Sequence, residues 1–183
     1  MAAFRYDSLS AFPKADLVIT EEQVLEGLNR LAAGLQPIVT QHECVLLGVM
    51  NGGLFPLMHL ANRLQGDFLL EYCHASRYQG GLSGGELQWL RQPSELLQGR
   101  TVIVIDDIWD EGTTLQAVAE HCKEAGAVTV LTAVLFVKDR ERPAGIPAPD
   151  FHAELHVPDR YVFGCGMDVN NHWRQVPAVY ALQ

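Results

Sequence analysis

Positive charge is scarce in this sequence. Its 183 residues hold 13 Lys and Arg against 22 Asp and Glu, a formal net charge of −9. That excess argues against a nucleic-acid backbone or an anionic membrane as the main partner, because both select for positive surface. A small anionic substrate stays open if the few cations are gathered in one place. Long apolar runs are also missing: the longest uncharged stretch, Cys44 to Asn62, is interrupted by Asn51, Gly52, Gly53, Pro56 and His59, so it reads as strand, loop and helix start rather than a membrane span. Near the N-terminus Arg5, Asp7, Lys14 and Asp16 leave no room for the apolar core of a signal peptide, and a cytoplasmic protein is expected. The four cysteines, Cys44, Cys73, Cys122 and Cys165, show no CxxC spacing, which favours buried reduced thiols over a disulfide framework or zinc site. No repeat, low-complexity block or charged linker divides the chain. A chain of this size buries roughly 70% of its unfolded surface around one core, so residues 1–183 are expected to form a single domain.

What is present is a series of alternating patterns. Thr20-Glu21-Glu22-Gln23 has the form of a capping box, and Val24, Leu25, Leu28, Leu31 and Leu35 follow at helical spacing. Cys44 to Met50 is a continuous apolar run, which suits a strand buried on both faces. Gly52-Gly53 then turns the chain into a second helix with Leu57, Leu60, Ala61 and Leu64 on one stripe and Pro56 in its first turn. Phe68 to Ala75 reads as a strand. Arg77 to Gly85 holds four glycines in nine residues and reads as a mobile loop, at about 77–85, leading to a strand at Glu86 to Leu90. Thr101 to Ile105 is a β-branched strand, followed by a helix through Leu115, Val118, Ala119 and Cys122 that Gly126 closes, and Val128 to Val137 is a further buried strand. The series predicts an α/β fold with a parallel sheet and helices on both faces. In Phe151 to Val157, Phe151, Ala153, Leu155 and Val157 share one face and His152, Glu154 and His156 the other. This period of two marks a half-exposed strand, whereas a His pair four apart becomes ligand-like on a helix.

The chemistry concentrates in Thr101 to Leu115. An apolar strand ends in Asp106 and Asp107, a third acid stands at Asp110, and Glu111-Gly112-Thr113-Thr114 opens a helix. In open α/β sheets ligands bind at the carboxyl ends of the strands, and a helix N-terminus with free N–H groups and hydroxyls cradles anions. Acids beside an anion cradle suit a sugar phosphate: carboxylates take ribose hydroxyls, directly or through Mg²⁺, and the turn takes phosphate. The bland reading is that strand ends are often acidic, Asp caps helices and Thr is common in turns. The complete arrangement of strand, three acids, glycine, hydroxyls and amphipathic helix weighs against it.

This stretch, Val102 to Leu115, resembles the phosphoribosyl-pyrophosphate (PRPP) motif of type I phosphoribosyltransferases. Leu47 to Gly53 is similar to the family's pyrophosphate loop, Phe136-Val137-Lys138 to its lysine-bearing strand, and Tyr161 to Asp168 with Trp173-Arg174 to the purine-binding hood of the hypoxanthine-guanine branch. The resemblance implies a type I phosphoribosyltransferase-like sheet with a small hood from about 1–20 and 150–183. It also implies transfer of the phosphoribosyl group from PRPP to N9 of hypoxanthine or guanine in purine salvage, Mg²⁺ as cofactor, and a homodimer or homotetramer. By resemblance, Asp110 serves purine N7 as the proton-transfer group. Asp106 and Asp107 hold the ribose hydroxyls and, with Asp168, the metal. Glu111, Gly112, Thr113 and Thr114 cradle the 5′-phosphate. Lys138, Tyr161, Val162 and Asp168 bind the purine; Asn51, Gly52, Arg142 and Arg174 bind pyrophosphate; Arg77 and Tyr78 belong to the lid. Three residues depart from the family pattern: Asn51 stands where Lys is common, Arg77 where Ser is usual, and Glu111 where many relatives have Thr. A xanthine-preferring transferase, an RNA-binding regulator on the same fold and a nucleotide-binding module without catalysis are the rival readings. Lys138 disfavours adenine, since an ammonium cannot accept from a 6-amino group. The net charge of −9 disfavours the RNA reading.

Overall fold

The computed structural model describes residues 10–77 and 87–183. Arg77 is described as backbone only, and Tyr78 with the rest of the expected lid lies outside the described residues. Strand β1 (Ala15–Ile19) leads into helix α1 (Glu21–Gln41). The expected capping box is formed: the Thr20 hydroxyl accepts from the Gln23 amide at 3.3 Å, and the Gln23 side chain accepts from the Thr20 amide at 2.9 Å. This satisfies two amides that a helix start otherwise leaves open. Strand β2 (Cys44–Met50), helix α2 (Leu54–Ala61), β3 (Phe68–Arg77) and β4 (Leu87–Arg91) follow. After a single 3-10 turn at Glu95–Leu97 come β5 (Thr101–Trp109), α3 (Thr113–Glu124), β6 (Thr129–Asp139) and β7 (Phe151–Pro158), then β8 (Val162–Phe163) and β9 (Val179–Leu182).

Six of these strands make one sheet in the order β4-β3-β2-β5-β6-β7. Neighbours from β3 to β7 run parallel, and β4 returns antiparallel to β3. The expected parallel sheet is thus present, and β4 runs antiparallel at its edge because only nine residues separate it from β3, too few for the crossover a parallel neighbour needs. The central strands alternate between two cores. Leu46, Ile103, Ile105 and Leu135 face α1 and α2 beside Leu28, Leu31 and Leu60, while Val45, Leu47, Val102 and Val104 face α3 beside Leu115, Val118 and Cys122. Both faces are covered, which is why these strands read as continuous apolar runs. On β7 the alternation is clean, with Ala153, Leu155 and Val157 buried and His152, Glu154 and His156 exposed.

A second sheet, β1-β9-β8, joins the two ends of the chain, as the expected hood requires. Strand β1 escaped the sequence pattern, which begins at Thr20. Leu17 is 53% exposed, and the partner that makes this segment a strand is β9, with Ala15 opposite Leu182. Pairing across the whole chain leaves no local trace. All four cysteines are free and buried, and burial pushes the Cys73 and Cys122 thiols up to about 12, so they behave as core groups.

Leu28 is fully buried between α1 and the sheet. Leu28→Ala is expected to cost about 2–5 kcal/mol, read as a lower urea midpoint at unchanged slope. A loss below about 1 kcal/mol would show that this face is loosely packed.

Candidate functional site

The parallel strands deliver their carboxyl ends to one edge. There β2 ends at Met50, β5 presents Asp106 and Asp107, and β6 ends beside Lys138. Gly112, at φ 82°, starts α3. Two cavities meet at this edge. One, of about 400 Å³, is lined by Met50, Gly52, Asp106, Asp107, Asp110 and the Glu111-to-Thr114 turn. The other, of about 260 Å³, is lined by Lys138, Tyr161, Val162, Met167, Asp168 and Arg174. Asp107, Ile108 and Asp110 line both, so they form one cleft with two rooms and Asp110 in the partition.

The larger room is lined by four acids and, among the described residues, by no Lys or Arg. The groups this room offers to an anion are the N–H groups of the turn and the Thr113 and Thr114 hydroxyls. Asp106 and Asp107 lie side by side at the strand end. Burial, then the neighbouring Asp107 charge, pushes Asp106 well above the usual carboxylate range. Burial pushes Asp107 up to about 6, against hydrogen bonds that include the Ile108 amide. Two buried, like-charged oxygen donors suit a hard divalent cation such as Mg²⁺. Among the described residues no three His, Cys, Asp or Glu side chains gather as a metal cage. Such a cation would complete its shell with ligand oxygens and water, as Mg²⁺ commonly does. Asp168, expected at the metal, pairs with Arg174 at 2.6 Å and accepts from the Asn171 amide at 2.7 Å.

Two glycines permit this geometry. A Cβ on Gly52 would lie 2.0 Å from Asp107 Oδ2, and one on Gly166, at φ 107°, would lie 2.2 Å from the Gly52 carbonyl oxygen. The acid, the loop after β2 and the C-terminal loop are therefore stacked in direct contact, which seats the small sheet over the large one. The Met50–Asn51 peptide is cis. Asn51 is exposed and lies outside both sets of lining residues.

In the smaller room Asp110 takes Lys138 Nζ on one oxygen at 2.7 Å and Arg140 Nη1 on the other at 2.8 Å. Burial alone would raise the Asp110 pKa, but these hydrogen bonds outweigh it and hold the carboxyl below its ordinary value. Arg140 was missed from the sequence; a second cation two residues beyond Lys138, at the same strand end, was the available signal. Tyr161 is 55% exposed at the rim, and Val162 is buried in the wall. Arg174 reaches the room but is tied to Asp168 and to the Gly166 carbonyl. Arg142 is not brought to either room. Its guanidinium donates to the carbonyls of Trp109, Asp110, Lys138 and Arg140 and lies 3.5 Å over the Trp109 ring, leaving it little capacity for the expected pyrophosphate contact.

Comparison with known proteins gives a consistent result. The phosphoribosyl transferase domain model matches residues 19–170. The chain is 25% identical over 169 residues to the hypoxanthine-guanine phosphoribosyltransferase of Staphylococcus aureus (strain Mu50 / ATCC 700699), covering 92% of this chain and 93% of that one. A hypoxanthine phosphoribosyltransferase structure from Staphylococcus aureus superposes with a TM-score of 0.84 at 24% identity, over 92% of this chain and 91% of the other. A hypoxanthine-guanine phosphoribosyltransferase from Bacillus anthracis superposes with 0.81 at 24% identity, over 93% and 98%.

Two outcomes follow from the cleft. Gly52→Ala forces a methyl into the Asp107 carboxylate and is expected to abolish ligand binding in the larger room, checked by calorimetry; unchanged binding would show that the loop shifts freely. The acid pair also sets a pH dependence. Its folded pKa values lie above the unfolded value of about 3.9, so the folded state keeps protons that the unfolded chain loses. This contribution is full below the unfolded value and is lost as pH rises through about 6 for Asp107. Asp106→Asn removes the repulsion and is expected to raise the melting temperature of the ligand-free chain at alkaline pH. A lower melting temperature there would show that the pair is not a liability.

Proposed function

The chain belongs to the phosphoribosyl transferase family, and from that membership we propose that it moves the 5-phosphoribosyl group from PRPP to N9 of hypoxanthine or guanine, giving IMP or GMP and pyrophosphate in purine salvage. The observation that carries the base assignment is the Lys138–Asp110 pair, 2.7 Å apart in the room beside Tyr161 and Val162. A 6-oxopurine presents an O6 acceptor next to an N7 that must gain or lose a proton. An ammonium beside a carboxylate is the matching surface. Adenine sets an amino group against the ammonium, which has no lone pair to receive it.

The roles follow from the two rooms. The turn from Glu111 to Thr114 holds the 5′-phosphate through backbone N–H groups and hydroxyls at the start of α3. Asp106 and Asp107 take the ribose hydroxyls and are the residues that would hold Mg²⁺. When bound, the cation supplies positive charge to substrate and leaving group in a room whose lining has none. As the bond from C1′ to pyrophosphate breaks, the ribose gains oxocarbenium character, which the surrounding carboxylates favour. Tyr161 stacks on the purine and Val162 offers backbone groups to its edge. Lys138 turns toward O6 as the base enters. That loosens its pairing with Asp110, so the proton affinity of Asp110 rises when N7 has a proton to give up. Asn51 and Gly52 border the pyrophosphate end, and Arg174 with Asp168 closes the far side.

The chain acts on small molecules in this reading, without nucleic acid or membrane, and a cytoplasmic location fits. No helix among the described residues is long and apolar enough to cross a membrane. Leu54 and Met58 on α2 and Leu70 and Tyr72 on β3 are exposed apolar residues, which supports a homo-oligomer.

The test is PRPP and Mg²⁺ with hypoxanthine, guanine, xanthine and adenine in turn. Nucleotide is expected from the first two, with adenine disfavoured by on the order of 10⁴. Efficient AMP formation would overturn the assignment, and a preference for xanthine would move it to that base. Asp110→Asn is expected to lower turnover by roughly 10² to 10⁴ with PRPP affinity changed much less. If both fall together, Asp110 is a ligand of the sugar phosphate rather than the proton-transfer group.

A further inference from the structure

We propose that Arg142 is a positioning residue for base transfer: its guanidinium, laid on Trp109, fixes the backbone of Asp110 against that of Lys138. The proposal rests on the phosphoribosyl-transfer reading and adds to it a residue that touches no substrate.

The geometry is specific. Asp110 follows β5 and Lys138 ends β6, so the separation of their side chains depends on two strand ends with no covalent link nearby. Arg142 bridges those ends from below. Nε donates to the Asp110 carbonyl and Nη2 to the Trp109 carbonyl, both at 2.9 Å, on the β5 side. On the β6 side Nη2 donates to the Lys138 carbonyl at 2.5 Å and Nη1 to the Arg140 carbonyl at 3.0 Å. These four bonds engage four of the five N–H donors a guanidinium has. Each accepting carbonyl belongs to a residue of the Lys138–Asp110–Arg140 cluster or to Trp109 next to it. A planar fork holds such spacings, whereas an ammonium provides only a point charge.

Trp109 is the platform that fixes the guanidinium. Its ring stacks 3.5 Å from the Arg142 guanidinium carbon, and its buried Nε1 has no hydrogen-bond partner among the described residues. A Cβ on Gly112 would lie 2.4 Å from that nitrogen and 2.6 Å from Ile146 Cγ2. The indole therefore lies directly beneath the glycine that starts α3, with Ile146 at its side. The indole is thereby held between Gly112 and the guanidinium, a fixed platform on which Arg142 lies.

The experiment compares Arg142→Lys, Arg142→Met and Trp109→Phe with the unaltered enzyme, reading turnover, KM for purine and for PRPP, inhibition by pyrophosphate, and melting temperature. IMP formation by the unaltered enzyme is measured first; its absence refutes the transfer reading itself and is seen before any variant is made. Expected is a fall in turnover of about tenfold to a hundredfold for both Arg142 variants, the scale of a misplacement near 1 Å. KM for purine rises, while pyrophosphate inhibition and KM for PRPP stay within about twofold, which is about 0.4 kcal/mol. Arg142→Lys rescues nothing, and Trp109→Phe, which keeps a ring to stack on, stays close to the unaltered enzyme. Weakened pyrophosphate and PRPP binding with purine parameters intact would make Arg142 a phosphate ligand and overturn the proposal. Full turnover in Arg142→Lys would overturn it too, as would a lower melting temperature with every kinetic parameter unchanged.

Discussion

The cleft is organised by the burial of two adjacent carboxylates at the end of β5. Asp106 and Asp107 are carried there by an apolar strand that the fold needs for its core, and burial raises both toward protonation, with the neighbouring Asp107 charge adding to the rise at Asp106. A pair placed this way weakens the ligand-free fold at neutral pH and is relieved when a cation or hydroxyl donors arrive. Binding and folding thus draw on the same electrostatic term, which is why the site's residues are not optimised for the stability of the empty protein.

Close backbone approach is the second constraint, and it follows from the first. Asp107 is covered by the Gly52 backbone, which is in turn covered by Gly166 from the far end of the chain, at distances no side chain fits. The stack covers one side of Asp107 and joins the small sheet to the large one through the ligand site. Closing the fold and forming the site are therefore a single packing event in this region.

Cations in the cleft are few and already engaged. Lys138 and Arg140 share Asp110, Arg174 takes Asp168, and Arg142 serves four carbonyls. In the proposed reaction an anionic substrate exchanges partners with these existing pairs. On the proposed reading, Lys138 turns to a purine oxygen by loosening its bond to Asp110, so binding the base and readying the carboxylate are coupled through one hydrogen bond. This explains how a chain with an excess of acids can handle a phosphate-rich substrate.

The sequence by itself determined the capping box at Thr20, the doubly buried strands β2 and β5, the half-exposed β7, and the acids and hydroxyls at the start of α3. All of these rest on periodicity or on chemistry between residues a few positions apart. It also placed Lys138 and Tyr161 through resemblance to a known family. What only the tertiary structure decided is everything that depends on partners distant in the chain. Strand β1 exists because β9 pairs with it, and β4 runs antiparallel because its connection is short. The guanidinium of Arg142 meets four carbonyls because two strand ends converge on it, and Asp168 pairs with Arg174, six positions away. Residue type and spacing specify which charges are available; the hydrogen bonds they satisfy are fixed only when strands far apart in sequence are brought side by side.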